Sequence, residues 1–286
     1  MANLKDIRTR IQSVGSTMQI TSAMKMVSAA KLKKAQDAIE NMRPYAEKLT
    51  ELLSGLSASL DKDMGGAYAA QREVKNVLLV PVTSNRGLCG ALNTNIIKQT
   101  SKLIENEYAS QNVQVLTIGK KANDQLSKTY EILDNKSEIF DDLTYDAVAA
   151  VAQRIMNDFA DQKFDKVVLI YNSFKNAATQ VVVTEQFLPI VPEKSDSNVV
   201  LDYIYEPSQK EIVMELIPKS LKTQFYKAIR DAWASEHGAR MTSMHKATDN
   251  AQEMKDELTL QYNKARQAVI TGEILEIVSG AEALKG

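Results

Sequence analysis

Apolar side chains near the start of the chain fall at Leu4, Ile7, Ile11, Val14 and Met18, spaced 3, 4, 3, 4. That spacing keeps one narrow seam turned toward a partner helix, as in a heptad. A second run, Ala35, Ile39, Met42, Ala46, Leu49, Leu53 and Leu56, spaces 4, 3, 4, 3, 4, 3. Ile20, Met24 and Val27 lie between the two, and the offset reads as a stutter that changes the supercoil locally. Residues 3–58 have no Gly-rich or Pro-rich break, only the isolated Gly15, Pro44 and Gly55. One interior proline costs a helix roughly 3 kcal/mol, which packing over many turns can offset. The segment predicts a helix about 80 Å long at 1.5 Å per residue, far longer than a compact domain is wide.

From about residue 209 to 284 the period is again helical, with Pro218 as its only proline. Periodic positions include Leu221, Phe225, Ile229 and Trp233, then Ala251, Met254 and Leu258. At the end Ile270, Ile274, Ile277, Ala281 and Leu284 again space 4, 3, 4, 3. Two long seam-bearing helices at opposite ends of a chain pack most simply as an antiparallel coiled coil.

Between them the period changes. Residues 74–82 are a Val- and Leu-rich run of the kind a buried strand needs, followed by helix-like 92–108 and strand-like 113–118. Helical 145–159 and strand-like 167–171 and 180–187 complete the middle. Strands alternating with helices predict a small α/β domain with a largely parallel sheet. Gly65-Gly66 and residues 192–198 (PEKSDSN) read as linkers or exposed loops. The expected fold class is therefore α/β: a long antiparallel coiled coil of N- and C-terminal helices plus a small central Rossmann-like α/β domain. The boundaries expected are 1–60, 70–195 and 207–286.

Composition supports this. With 44% hydrophobic and 25% charged residues the 286-residue chain is globular rather than disordered. Its 11 Gly, 6 Pro and 6% aromatics suit long helices better than an all-β fold. The formal net charge of -1 gives no reason to expect nucleic acid as a partner. Charge is nonetheless partitioned. In residues 1–36 Lys5, Arg8, Arg10, Lys25, Lys31, Lys33 and Lys34 face a single acid, Asp6. Such a helix suits an anionic membrane, a nucleic acid or an acidic protein equally well. Residues 1–10 carry charges where a signal peptide needs its apolar core, and no run approaches 18 apolar residues. The expectation is a chain that is neither secreted nor membrane-spanning.

Candidate chemistry is sparse. Residues 83–92 (TSNRGLCGAL) form a Gly-bearing loop between a strand and a helix, where Rossmann-type proteins bind phosphate. It has neither G-x-G-x-x-G nor G-x-x-x-x-G-K-[ST], so it reads as a structural turn or a protein-contact loop. Cys89 is the only cysteine, which excludes an internal disulfide and a cysteine-rich zinc site. As a nucleophile it lacks a histidine in its own segment, and it is expected as a small half-buried thiol. His237 and His245, the only histidines, are eight apart rather than at the i, i+3 or i, i+4 spacing of helical metal ligands. No carboxylate pair stands in an apolar context that would raise a pKa for acid-base work. Catalysis, a metal and a cofactor are all unsupported. The methionines Met18, Met24, Met26 and Met42, with Met241, Met244 and Met254, read as core filler, adaptable where they leave the seam.

Three stretches together carry a resemblance: 11–36 (IQSVGSTMQITSAMKMVSAAKLKKAQ), 83–93 (TSNRGLCGALN) and 236–284, the last containing ITGEILEIVSGAEA at 270–283. They resemble the γ subunits of F-type ATP synthases, the central rotor stalk, whose signature reads I/V-T-x-E-x-x-D/E-x-x-x-G-A. The likeness runs from one end of the chain to the other. It implies a mechanical role rather than a catalytic one. The paired helices would stand inside a ring of three α and three β subunits, with the apolar C-terminal stripe in a hydrophobic sleeve. The α/β domain would sit below, beside ε and on the membrane c-ring. Location would be peripheral, on the cytoplasmic face of a bacterial inner membrane, with membrane association through the complex.

Carried over by position, Met24 and Lys25 would lie against acidic levers of β, where the basic first helix supplies complementary charge. The 85–90 loop, with Arg86 and Cys89, would also approach a β lever. Arg240, Arg266, Gln267 and Thr271 would hold the C-terminal helix to the first helix or to the β catch loop, and Glu273 is the acid of the signature. Gly272 stands where the family often has Gln, at a cost of about 1 kcal/mol to the helix. With one cysteine, the thiol switch of chloroplast-type chains should be absent. Two other classes compete with the rotor reading. An α/β enzyme with helical extensions predicts nucleotide binding or turnover by the isolated chain. A coiled-coil scaffold or membrane-surface protein predicts self-association or lipid binding without ATPase subunits.

Overall fold

A computed structural model describes residues 4–57, 66–190 and 209–283. The chain falls into two compact units, Met1–Ser28 with Met241–Gly286 and, separately, Ala29–Arg240. Two helices contribute to both: α1, Leu4–Ser57, and α6, Gln209–Ala283. Pro44 and Pro218 lie inside them without ending them.

Along α1 the seam runs through Leu4, Ile7, Ile11, Val14, Met18, Thr21, Lys25 and Ser28, then Leu32, Ala35, Ile39, Met42, Ala46 and Leu49, all buried or half-buried, with Gly15, Ser22, Met24, Ala29 and Ala38 half-buried beside it. The steps alternate 3 and 4 throughout, so the expected stutter is absent. Thr21, Lys25 and Ser28 hold seam positions that a count of apolar residues passes over, while Ile20 and Val27 are more than half exposed. The side chains of Leu53 and Leu56 lie outside the described set.

The larger unit carries a five-stranded sheet. Its elements in order are α2 (Gly66–Ala69), β1 (Asn76–Pro81), α3 (Leu92–Lys102), β2 (Asn112–Thr117), α4 (Lys120–Leu126), β3 (Ile132–Asn135), α5 (Tyr145–Ala160), β4 (Lys166–Phe174) and β5 (Gln180–Leu188). A π-turn, Leu103–Glu107, continues α3, and a 3-10 turn, Ser137–Phe140, follows β3. The sheet order is β3-β2-β1-β4-β5, with the first four strands parallel and β5 antiparallel. α4 and β3 fall in a stretch too short and polar to read from its pattern. Gly66 opens α2 rather than a linker, whereas Gly65 and residues 192–198 lie outside the described residues.

β1 and β4 are apolar along most of their length because helices cover both faces of the sheet. On one face Val148, Ile155, Met156 and Phe159 of α5 and Phe225 and Ile229 of α6 meet Leu78, Val80, Leu116 and Leu169. On the other, Ile96 and Leu103 pack on Val77, Leu79, Val168 and Ile170. Thr144 caps α5 by accepting from the Ala147 N–H at 3.4 Å. The β4–β5 hairpin is closed by Asn176, whose Oδ1 accepts from Ala178 and Thr179 N–H at 3.0 and 2.8 Å. That short turn is what makes β5 the one antiparallel strand.

Candidate functional site

In the larger unit, the loop after β1 leaves the C-terminal end of a strand flanked by β2 and β4, the switch point of the sheet. Its polar groups are spent on its own shape. The Ser84 N–H donates to Asn93 Oδ1 at 2.9 Å, and Asn93 Nδ2 donates to Ser84 Oγ at 2.8 Å and to Cys89 Sγ at 3.3 Å. Asn85 Nδ2 reaches the Ser137 carbonyl at 2.9 Å while its Oδ1 accepts the Lys120 N–H at 3.0 Å. Cys89 is buried with Leu92 and Ala239.

α6 closes the loop from the other side. Arg240 donates from Nη2 to the Arg86 carbonyl at 3.1 Å and to the Gly87 carbonyl at 3.2 Å, and Nε also reaches Gly87 at 3.3 Å. Its Nη1 holds Glu236 Oε1 at 2.7 Å. Both side chains are about nine-tenths buried, and burial raises the Glu236 carboxyl above its ordinary range despite the guanidinium beside it. The sequence pattern promised no carboxylate in such surroundings. This one faces an arginine rather than a second acid. His237, adjacent, is buried with neither ring nitrogen hydrogen-bonded and stacks edge-on against Trp233 at 4.9 Å. Burial first, then Arg240 and Lys31, push its pKa down to about 3, so the ring is neutral. At Gly238 a Cβ would stand 3.2 Å from Phe174 and 3.3 Å from the Ala177 Cα, which is why a residue without one lies where the hairpin meets α6.

In the smaller unit, the Thr21 and Thr248 hydroxyls stand 2.8 Å apart, and Lys25 Nζ lies 3.2 Å from His245 Nδ1. One helix ascends in number as the other descends, so the pair is antiparallel. Along α6 the inward positions are Met244, Thr248, Ala251, Lys255, Leu258, Tyr262 and Ala265, an unbroken 4, 3 alternation. Met254, expected in this seam, is 53% exposed, and the stem of Lys255 takes the place. Leu4 is seventeen residues before Thr21, level with Ala265, seventeen after Thr248. Past that level α6 has no described stretch of α1 beside it. Residues 266–283 extend about 27 Å as one helix. Val269, Ile270, Ile274, Leu275, Ile277 and Val278 on it are 41% to 71% exposed. At about 100° per residue these six spread over roughly 240° of the circumference.

Residues 3–284 match the family model described as ATP synthase. The chain is 67% identical to the ATP synthase gamma chain of Flavobacterium psychrophilum and 63% identical to that of Christiangramia forsetii, in both cases over the whole of each chain. It also matches a chain in the central stalk and c-ring of the mitochondrial ATP synthase of Tetrahymena thermophila. There the TM-score is 0.59 and the identity 27%, covering 80% of this chain and 99% of that one. The chain belongs to the ATP synthase gamma chain family. As a member it is a non-catalytic central-stalk subunit of a membrane-associated complex, coupling rotation to the conformational cycling of the β subunits.

The residues expected to act in coupling sort into three places. Met24 and Lys25 are half-buried on α1 beside the α6 seam. Arg86, Cys89 and Arg240 come together in the loop clamp, with Arg86 exposed and the other two buried. Cys89 is more deeply enclosed than expected, at 1% exposure. Arg266, Gln267, Thr271 and Glu273 are exposed on the bare end of α6. Sequence reasoning singled out neither Glu236 nor Asn93, and weighed His245 only as a metal ligand. A signal existed for the first, since Glu236 stands four residues before Arg240 on a helix, the favourable order for an ion pair.

Proposed function

We propose that residues 266–283 form the enclosed tip of the shaft, surrounded by three α and three β subunits. The observation that carries this reading is the apolar collar. A helix apolar on one face needs one groove, but one apolar over most of its circumference needs a sleeve. In this reading segments 1–60 and 207–286 form the shaft, and 70–195 is the foot beside ε and on the c-ring, at the cytoplasmic face of a bacterial inner membrane. Met24 and Lys25, and independently the Arg86 loop, meet acidic levers of β. Arg266, Gln267, Thr271 and Glu273 engage the catch loop, for which the planar fork of Arg266 suits a carboxylate. The three β sites are chemically identical, so only a shaft that presents different surfaces around its axis can hold them in different states.

The test is affinity capture through a tagged β chain from native membranes, with this chain, α and ε identified among the co-purifying proteins and ATPase activity assayed. Co-purification in an active complex supports the assignment, and absence of this chain from that complex sinks it. Within the complex, charge reversal at Arg266 with Gln267→Glu should impair coupled turnover, and unchanged turnover would remove the catch-loop assignment.

A further inference from the structure

The turn at 86–88 carries two local costs at once. Leu88 adopts a left-handed backbone with φ 64°, uncommon for any residue with a Cβ, and its side chain is 63% exposed to water. Such a conformation persists only where the surroundings over-determine it. Here they do so from three sides: Asn93 on α3, the Lys120 N–H and Ser137 carbonyl gripping Asn85, and Arg240 on α6. Arg240 differs from the other two in kind. It is a buried charge with its partner acid a turn away, aimed at two consecutive carbonyls.

We propose that Arg240 is a positioning residue: it holds the 86–88 turn closed over Cys89 so that Leu88 is presented as a fixed apolar knob to the β subunit that the loop meets. Its planar fork spans the Arg86 and Gly87 carbonyls while Glu236 neutralises it and fixes its rotamer, a geometry that the single point of a lysine ammonium does not reproduce. Arg240 thus acts on a partner through the loop and touches none itself. This deepens the rotor reading and rests on it for the identity of the partner.

The chain's single thiol supplies the readout. Cys89 lies under the turn at 1% exposure and is the one thiol, so its maleimide labelling in the purified full chain, under conditions where far-ultraviolet circular dichroism shows the chain folded, reports opening of the loop. Arg240→Ala is expected to speed labelling at least about tenfold, the change that follows from losing even one of its charge-assisted hydrogen bonds to the turn. Arg240→Lys should fall between it and wild type. Because a bare Glu236 threatens folding, a double variant, Arg240→Met with Glu236→Leu, removes both charges while keeping volume, and it should also label faster. In the assembled complex Arg240→Ala and the double variant should lose ATP-driven ion pumping, Arg240→Lys should keep part of it, and Leu88→Gly should lose pumping with Cys89 still protected. Labelling at the wild-type rate in both Arg240→Ala and the double variant would overturn the proposal, as would faster labelling with pumping intact. Failure of the wild-type chain to enter the complex at all would instead strike the rotor reading, since the labelling arm needs no partner.

Discussion

Two stretches of α6 both carry apolar residues at helical spacing and have opposite fates. Between residues 221 and 240, Phe225, Ile229 and Ala234 are completely buried against the sheet and its hairpin, and the polar Ser235, Glu236 and Arg240 are buried with partners. Between 266 and 283 every residue but Gly272 is exposed, and Ile277 reaches 71%. An apolar side chain left in water forgoes about 1.5–3 kcal/mol relative to burial. A pattern of apolar positions therefore states that a face needs covering without stating what covers it. In the first stretch the chain covers it; in the second, on the rotor reading, the cover belongs to another molecule.

The contrast can be broken at several strengths. Phe225→Ala removes a ring that packs 5.5 Å from Phe187 in the main core, and should cost about 3–5 kcal/mol in urea unfolding. A loss under about 1 kcal/mol would mean that this stretch is less committed to the fold than its burial implies. Gly238→Ala comes next. Its new methyl must displace Phe174 or the Ala177 backbone, an overpacking worth roughly 1–3 kcal/mol by the same measurement.

A third experiment uses pH. The native His237 ring stays neutral down to about 3, whereas the unfolded ring takes a proton near its ordinary 6.5. The unfolded chain binds more protons across that window, so stability should fall as pH drops from 6.5 toward 3, with the contribution of His237 complete above 6.5. Glu236, whose native carboxyl holds its proton longer than the unfolded one, acts in the opposite sense as pH rises above 4.5. His237→Leu should flatten the first slope and be neutral or stabilising at about pH 7, because it removes two buried unsatisfied nitrogens. Urea midpoints of the variant and wild type, followed across pH, decide it; parallel curves would exclude the histidine as the source. The smallest effect on stability belongs to Ile277→Ser, within about 0.5 kcal/mol on the purified chain. Its consequence should appear only in the complex, as reduced coupled turnover. A large destabilisation of the free chain would show that residues 266–283 already have a partner within it.

Much of the fold was legible because period is a local property. Alternating 3 and 4 steps, a Val-rich run and a Gly-bearing strand-to-helix loop each declare an element within a few residues. The seam was misread at Thr21, Lys25 and Ser28 because a position can be buried without being apolar when a hydroxyl finds a partner or an aliphatic stem does the packing. The site was less legible. The loop motif stood out, but its clamp depends on Glu236 and Arg240, about 150 residues away, and on Asn85 bonding to Ser137 across the sheet edge.

By itself, then, the amino-acid sequence determined two long helices, an α/β middle with a largely parallel sheet, the absence of any internal disulfide and the family. Those follow from nearest-neighbour patterning, composition and motif order. Only the tertiary structure decided which residues of α1 and α6 stand level, which arginine is spent inside the chain and which are left outside, and that the histidine at 237 is buried and the carboxyl at 236 raised. Burial comes from residues distant in sequence, and the energies of the groups it encloses depend on distances and solvent exclusion that exist only once the chain is folded.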